Sequence, residues 1–266
     1  MLDRNLTITL IEDDIAWGDK TANLEQLKHN LENVPDGTDI VVLPELFSTG
    51  FITGDKEQAA QLAERNGGET MHILHEIASK RHFAICGSFL AATAGQLFNR
   101  AFFIEPNGDD TFYDKRHLFA FGGENEVYHQ GHTNAPIIRF RGVNIKLIVC
   151  YDLRFPVFCR TQNNDYDVLI VVANWPKSRQ HVWSTLLAAR AMENECYVCG
   201  VNRCGIDNQG ADYGTGSSQI IDFKGKVIAT RNGDCPIIPA IIEPNKLAQF
   251  REKFPAWRDA DAFELK

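Results

Sequence analysis

The chain has no apolar run near the roughly 18 residues that a membrane-spanning helix needs, so no such helix is expected. Basic charge is in short supply: 27 Lys and Arg stand against 35 Asp and Glu, a formal net charge of −8. Binding to nucleic acid by counterion release wants a basic face, so nucleic acid is not an expected partner, and neither is a membrane. The opening Met1-Leu2-Asp3-Arg4 has no basic region followed by an apolar stretch, so no signal peptide is expected. No segment rich in Gly, Ser or Pro could serve as a linker, and no repeat appears at solenoid periods. The cysteines number seven, an odd count, and several lie inside apolar runs. That usage fits a reducing cytoplasm and not a disulfide scaffold.

What is present is globular. The chain has 266 residues, 44% hydrophobic and 23% charged, enough to bury a substantial core without staples. One domain spanning 1–266 is the simplest reading, its last ~20 residues a tail that packs on the domain or on a partner subunit.

Strand-like and helical patterns interleave throughout, which makes the class α/β or α+β. Strands are expected at 6–11, 39–43, 83–90, 97–104, 111–115, 137–140, 143–150, 168–175, 196–202, 218–222, 226–230 and 237–242. Helices are expected at 22–31, at 56–81 with an interruption at Asn66-Gly67-Gly68, from Phe155, at 179–194, and from Pro244.

Three segments carry chemistry. The first is residues 144–156, NIKLIVCYDLRFP, where a buried strand stops at Cys150 and a tight polar turn leads into a helix. A nucleophile at a strand-to-helix turn is presented on the rim of a sheet, near backbone N–H groups that can hold an oxyanion. A helix N-terminus and a nearby cation would favour its thiolate. The second is VVLPELF (41–47), which ends an apolar strand on Glu45; a carboxylate is costly to bury unpaired there, and suits acid–base work. The third is TFYDKRHLF (111–119), which puts Lys115 in an aromatic, strand-like setting where an ammonium can steady an oxyanion or a base.

Glu45, Lys115 and Cys150 in that order, 70 and then 35 residues apart, resemble the Glu-Lys-Cys triad of the nitrilase superfamily of carbon–nitrogen hydrolases. The resemblance covers essentially the whole chain. It implies a four-layer α-β-β-α sandwich, assembly as a homodimer or higher homo-oligomer, and no metal or organic cofactor. It also implies acyl transfer to Cys150, with Glu45 as general base and acid, and with Lys115 and the backbone N–H of Tyr151 holding the oxyanion. A second glutamate of the family falls in Gly122-Gly123-Glu124-Asn125-Glu126; register favours Glu124 over Glu126, as a residue orienting Lys115.

Tyr151-Asp152 after the cysteine departs from the Trp-Glu of true nitrilases and from the Asn-Asp of N-carbamoyl amino acid hydrolases. There is no room for the second domain of glutamine-dependent NAD synthetases, nor are there membrane helices as in lipoprotein acyltransferases. PELFSTGF, YDKRHLF, CYDLRFP and ANWP together are similar to the short ω-amidase branch, which acts on 2-oxoglutaramate and 2-oxosuccinamate. Such substrates carry a carboxylate beside a keto group, so a cation is expected in the pocket: Arg154, Lys177, Arg179 and His181 are candidates. Phe47, Phe119, Tyr128 and Trp175 are candidates for its wall. Alternatives are a deaminated-glutathione-type amidase, an N-carbamoyl hydrolase, a non-catalytic member of the fold, or a Cys/His protease. The Cys196-Tyr197-Val198-Cys199 stretch lacks the turn residues of a metal site, and the glycines at 205–216 form no phosphate loop.

Overall fold

The computed structural model describes residues 5–265, so the Met1–Arg4 stretch read above for a leader lies outside the described residues. Fourteen strands form among them: β1 (Leu6–Ile11), β2 (Ile40–Val42), β3 (Ala84–Thr93), β4 (Gln96–Ile104), β5 (Asp110–Asp114), β6 (Ile137–Phe140), β7 (Val143–Val149), β8 (Val168–Ala173), β9 (Tyr197–Asn202), β10 (Gly205–Ile206), β11 (Asp212–Gly214), β12 (Gln219–Ile221), β13 (Val227–Thr230) and β14 (Ile237–Ile242). Two six-stranded sheets result, in the orders β14-β1-β2-β3-β4-β5 and β13-β12-β9-β8-β7-β6. Each is built alike: three parallel strands at the centre (β1-β2-β3 and β7-β8-β9) with antiparallel strands outside them.

Strand alternation explains why the sheets stack. In β2 and β3, Ile40, Val42, Ala84 and Cys86 face the second sheet, while Val41 and Ile85 face outward. The outward set meets Leu24, Leu27 and Leu31 of α1 (Lys20–Glu32) and Met71, Leu74 and Ala78 of α3 (Glu69–Arg81). α2 (Lys56–Leu62) precedes α3, so the single helical region expected at 56–81 is two helices, parted across the Asn-Gly-Gly signal. Asp19 and Asp55 cap α1 and α2, accepting from Ala22 N at 3.0 Å and Gln58 N at 2.8 Å.

Further helices are α4 (Glu124–Val127), α5 (Pro156–Cys159), α6 (Gln180–Glu193) and α7 (Pro244–Lys253). On the second sheet, Trp183, Leu187 and Ala191 of α6 complete the fourth layer, giving α-β-β-α. The helix expected from Phe155 is the one-turn α5, with Phe155 as its extended N-cap and Pro156 at its first position, and a 3-10 turn at Cys150–Arg154 leads into it. The hairpin β10–β11 sits in the glycine-rich stretch where no strand was expected. The tail runs back over its own domain. Arg251 pairs with Asp167 at 2.7 Å, Phe250 packs on Phe223, and Leu265 returns to the central core.

Candidate active site

Four polar side chains arrive at one place because each follows a strand end. Glu45 lies three residues past β2, Lys115 directly after β5, Cys150 directly after β7 and Asn174 directly after β8. Crevices at the carboxyl ends of parallel strands are where such sheets bind ligands. Cys150 takes φ +45°, a left-handed backbone that costs a non-glycine residue about 1–3 kcal/mol and turns its side chain out of the strand direction. Lys115 is fixed on both sides: its N–H donates to Asn99 O at 2.9 Å and its carbonyl accepts from Gly131 N at 2.9 Å. Only glycine fits at 131, since a Cβ there would stand 2.0 Å from Asp114 O.

Glu45, Lys115 and Glu124 are 1%, 1% and 0% exposed, so their charges must satisfy one another. Lys115 Nζ donates to Glu45 Oε1 and to both oxygens of Glu124, each at 2.9 Å. Asn99 Nδ2 bridges the two carboxylates, at 2.7 Å from Glu45 Oε1 and 3.2 Å from Glu124 Oε1. The other Glu45 oxygen accepts from Asn174 N at 2.8 Å, and Asn174 Nδ2 donates to Glu45 O at 3.0 Å. Glu124 also accepts from Phe119 N at 2.6 Å. Of the two glutamates in the Gly122–Glu126 stretch it is Glu124 that reaches Lys115; Glu126 is exposed.

The electrostatics follow from this burial. Desolvation works against the Lys115 ammonium, but Glu124 and Glu45 outweigh it and hold its proton more firmly than on a free lysine. Burial raises the Glu124 carboxyl, and Lys115 offsets part of that rise. The cation that would favour a thiolate is present in Lys115, but it is outweighed. Burial, with the Glu45 carboxylate beside it, pushes the Cys150 thiol well above its ordinary value, and Lys115 offsets only part. A neutral thiol in this setting becomes a nucleophile only when a neighbour accepts its proton during attack. Among the described residues Glu45 is a fixed carboxylate acting on it through space.

The carbon-nitrogen hydrolase family model matches residues 7–252. The chain belongs to the carbon–nitrogen hydrolase family. It is 41% identical over 261 residues to an omega-amidase of Escherichia coli K12, covering 98% of each chain. It is 31% identical over 258 residues to a 2-oxoglutaramate amidase of Bacillus subtilis, covering 95% of this chain and 96% of that one. A CN-hydrolase superfamily protein from Xanthomonas campestris, solved with an arsenic adduct in its active site, superposes with a TM-score of 0.93 at 37% identity, covering 99% of this chain and all of that one.

In this carbon–nitrogen hydrolase Glu45, Lys115 and Cys150 open on a cavity of about 740 Å³, its mouth included. Phe119, Tyr151, Arg154, Trp175 and Arg179 line it too. Arg154 lies over the Trp175 ring at 5.1 Å and Arg179 over Phe119 at 5.4 Å. Neither arginine has an acidic partner among the described residues. Tyr151 is the second residue of the 3-10 turn, so its N–H has no acceptor within that turn.

Four other candidates lie off the cavity. Leu46 adopts φ +48°, which turns Phe47 back into the core against Phe102. Tyr128 is buried behind Phe51, stacked on it at 6.4 Å, and it is Phe51 that faces the cavity. His181 is exposed because the helical period of α6 turns Trp183 and Leu187 inward instead. Lys177 is exposed and pairs with Asp212 at 3.3 Å. Unforeseen members are Asn99, which sits in an ordinary strand pattern, and Trp17, Asp207 and Tyr213 at the mouth. Tyr213 donates to Asp207 at 3.0 Å and carries Arg203 over its ring at 4.6 Å, which ties the β10–β11 hairpin down.

Proposed function

We propose that this hydrolase cleaves the terminal amide of a small 2-oxo acid amide, 2-oxoglutaramate or 2-oxosuccinamate, releasing ammonia and the dicarboxylate through a Cys150 thioester. The observation that carries the reading is the half-buried Cys150 thiol beside a buried Glu45–Lys115–Glu124 cluster, in a cavity that also holds two arginines without acidic partners. The omega-amidase and 2-oxoglutaramate amidase relatives support the substrate class.

The geometry supports the following sequence. Glu45 accepts the Cys150 proton as sulfur attacks the amide carbon. The oxyanion is held by the Lys115 ammonium and the Tyr151 N–H. Glu45 then hands its proton to the departing nitrogen, the C–N bond breaks and ammonia leaves. Water, deprotonated by Glu45, attacks the thioester carbon, and the C–S bond breaks to return the thiol. Glu124 takes no proton in this scheme; it anchors Lys115. Arg154 and Arg179 are the groups suited to the substrate's carboxylate and 2-oxo oxygens, being planar donors already stacked on aromatic rings. Phe119 and Trp175, beneath those guanidiniums, form the wall for a short acyl chain.

A homodimer or higher homo-oligomer is part of this reading, supported by exposed Val157, Met192 and Phe254 on or next to α5, α6 and α7. A cytoplasmic setting is supported by seven free cysteines. The test is ammonia release from 2-oxoglutaramate beside glutamine, a simple nitrile and an N-carbamoyl amino acid, with Cys150→Ala as control. Selective turnover of the keto-amide is the expected result. Turnover confined to another compound would discard the substrate class and keep the mechanism, and turnover by Cys150→Ala would discard both.

A further inference from the structure

We propose that His117 is a positioning residue for the nucleophile turn, acting through the carboxylate of Asp152. Neither residue touches the cavity; both lie behind it. Asp152 is 0% exposed and is the third residue of the turn that Cys150 opens. Its carboxylate gathers four donors. His117 Nδ1 lies 2.7 Å from Oδ1, and His117 N donates to the same oxygen at 3.0 Å. Tyr113 OH and Val149 N donate to Oδ2 at 3.0 and 3.1 Å. Tyr113 OH in turn accepts from Arg116 N at 2.9 Å.

These bonds have a common geometry. Tyr113, Arg116 and His117 flank Lys115 in the chain, and Val149 and Asp152 flank Cys150. One buried carboxylate therefore joins the segment that aims the ammonium to the segment that aims the sulfur. The second segment is the one held at φ +45°, a backbone state that persists only where its surroundings over-determine it. A carboxylate only accepts, so Nδ1 carries the hydrogen in this bond. The imidazole is also clamped, stacked on Phe155 at 3.8 Å and set edge-on to Phe158 at 4.9 Å. His117 is the one cation-capable group paired with Asp152 among the described residues. Burying the carboxylate needs donors of any kind; holding the two segments in register needs a donor at the Nδ1 position.

That difference gives the test. Asparagine places its amide nitrogen near the position of histidine Nδ1, whereas glutamine mimics Nε2. Because the inference rests on the proposed amidase reading, kcat and KM are measured on 2-oxoglutaramate for the wild-type enzyme, His117→Gln and His117→Asn, with melting temperatures alongside. A displacement of the sulfur by about 1 Å costs on the order of 10²-fold, so His117→Gln should lose about that factor in kcat with KM within about threefold of wild type. His117→Asn should recover at least about tenfold of the loss. Equal kcat in the two variants, or losses that simply track melting temperature, would overturn the proposal. If His117→Gln does not fold, Asp152→Asn replaces it: a fall in kcat at constant KM supports the clasp, and unchanged kcat refutes it. If the wild-type enzyme cleaves no keto-amide, the substrate reading fails by itself. Alkylation of Cys150 by iodoacetamide then decides the present point, slowed in His117→Gln and not in His117→Asn if the clasp aims the sulfur, equal in both if it does not.

Discussion

Replacing Lys115 with methionine separates what the ammonium does for catalysis from what it does for the fold. Methionine keeps the length and removes three charge-assisted bonds of 2.9 Å each. Two carboxylates at 1% and 0% exposure are then left facing each other with Asn99 as their shared donor. Removing one partner of a buried ion pair costs about 3–5 kcal/mol, because the remaining charge stays desolvated. For a chain of this size that is a fall of about 6–20 °C in melting temperature. The loss should shrink as pH is lowered. Glu124 is already raised by burial, and without Lys115 it rises further; a carboxyl whose folded-state pKa lies above its unfolded value destabilises the fold as pH climbs through that range. In ammonia release, kcat should drop by about 10²–10³-fold, the loss expected for an oxyanion donor. Adding Glu124→Gln removes one of the two uncompensated charges, so Lys115→Met/Glu124→Gln should regain part of the melting temperature and stay inactive. Loss of activity of about tenfold or less in Lys115→Met would refute the role of the ammonium, as would recovery of activity along with stability in the double variant.

Other expectations follow from particular contacts. Cys150→Ala should abolish hydrolysis while melting as the wild-type protein does, and Glu45→Gln should do nearly the same to turnover; robust activity in Glu45→Gln would remove it as the base. Arg154→Ala and Arg179→Ala should raise KM for 2-oxoglutaramate far more than for an uncharged amide, and parallel effects on both substrates would count against carboxylate recognition. Asp13 is raised by burial from 3.8 to about 6, with Asn30 Nδ2 at 2.7 Å opposing the rise only in part. Its folded-state value exceeds its unfolded one, so stability should fall as pH goes from about 4 to 6, and Asp13→Asn should stabilise the protein by up to ~3 kcal/mol at pH 7. Urea melts of the two proteins at pH 4 and 7 check it; a difference that does not grow with pH contradicts the reasoning.

How much of the site can be read from sequence depends on whether a side chain is placed by its own segment or by distant ones. Glu45 and Cys150 follow apolar strands and Lys115 follows an aromatic one, so their local strings announce them. The family resemblance supplied the rest of the triad's logic. Asn99 lies mid-strand with nothing local to mark it; its importance comes from register, which sets β4 between β3 and β5 and brings its amide to both carboxylates. Phe47 and Tyr128 share motifs with site residues, yet a left-handed kink at Leu46 and the Phe51 stack turn them into packing. Aromatic identity says that a ring will be buried and not which side of the wall it occupies. The β10–β11 hairpin is too short to carry an alternating pattern, its strands being two and three residues long. The balance at the thiol is set in the same way: a helix end and a cation can be seen in one segment, but the Glu45 carboxylate and the desolvation come from elsewhere in the fold.

The most direct test of the central claim is to acid-quench the enzyme during turnover of 2-oxoglutaramate and map acyl adducts by peptide mass spectrometry. The mechanism predicts an acyl group on the Cys150 peptide, absent from the other six cysteines and chased by water as substrate runs out. Steady turnover with no adduct on Cys150, together with activity surviving in Cys150→Ala, would contradict it.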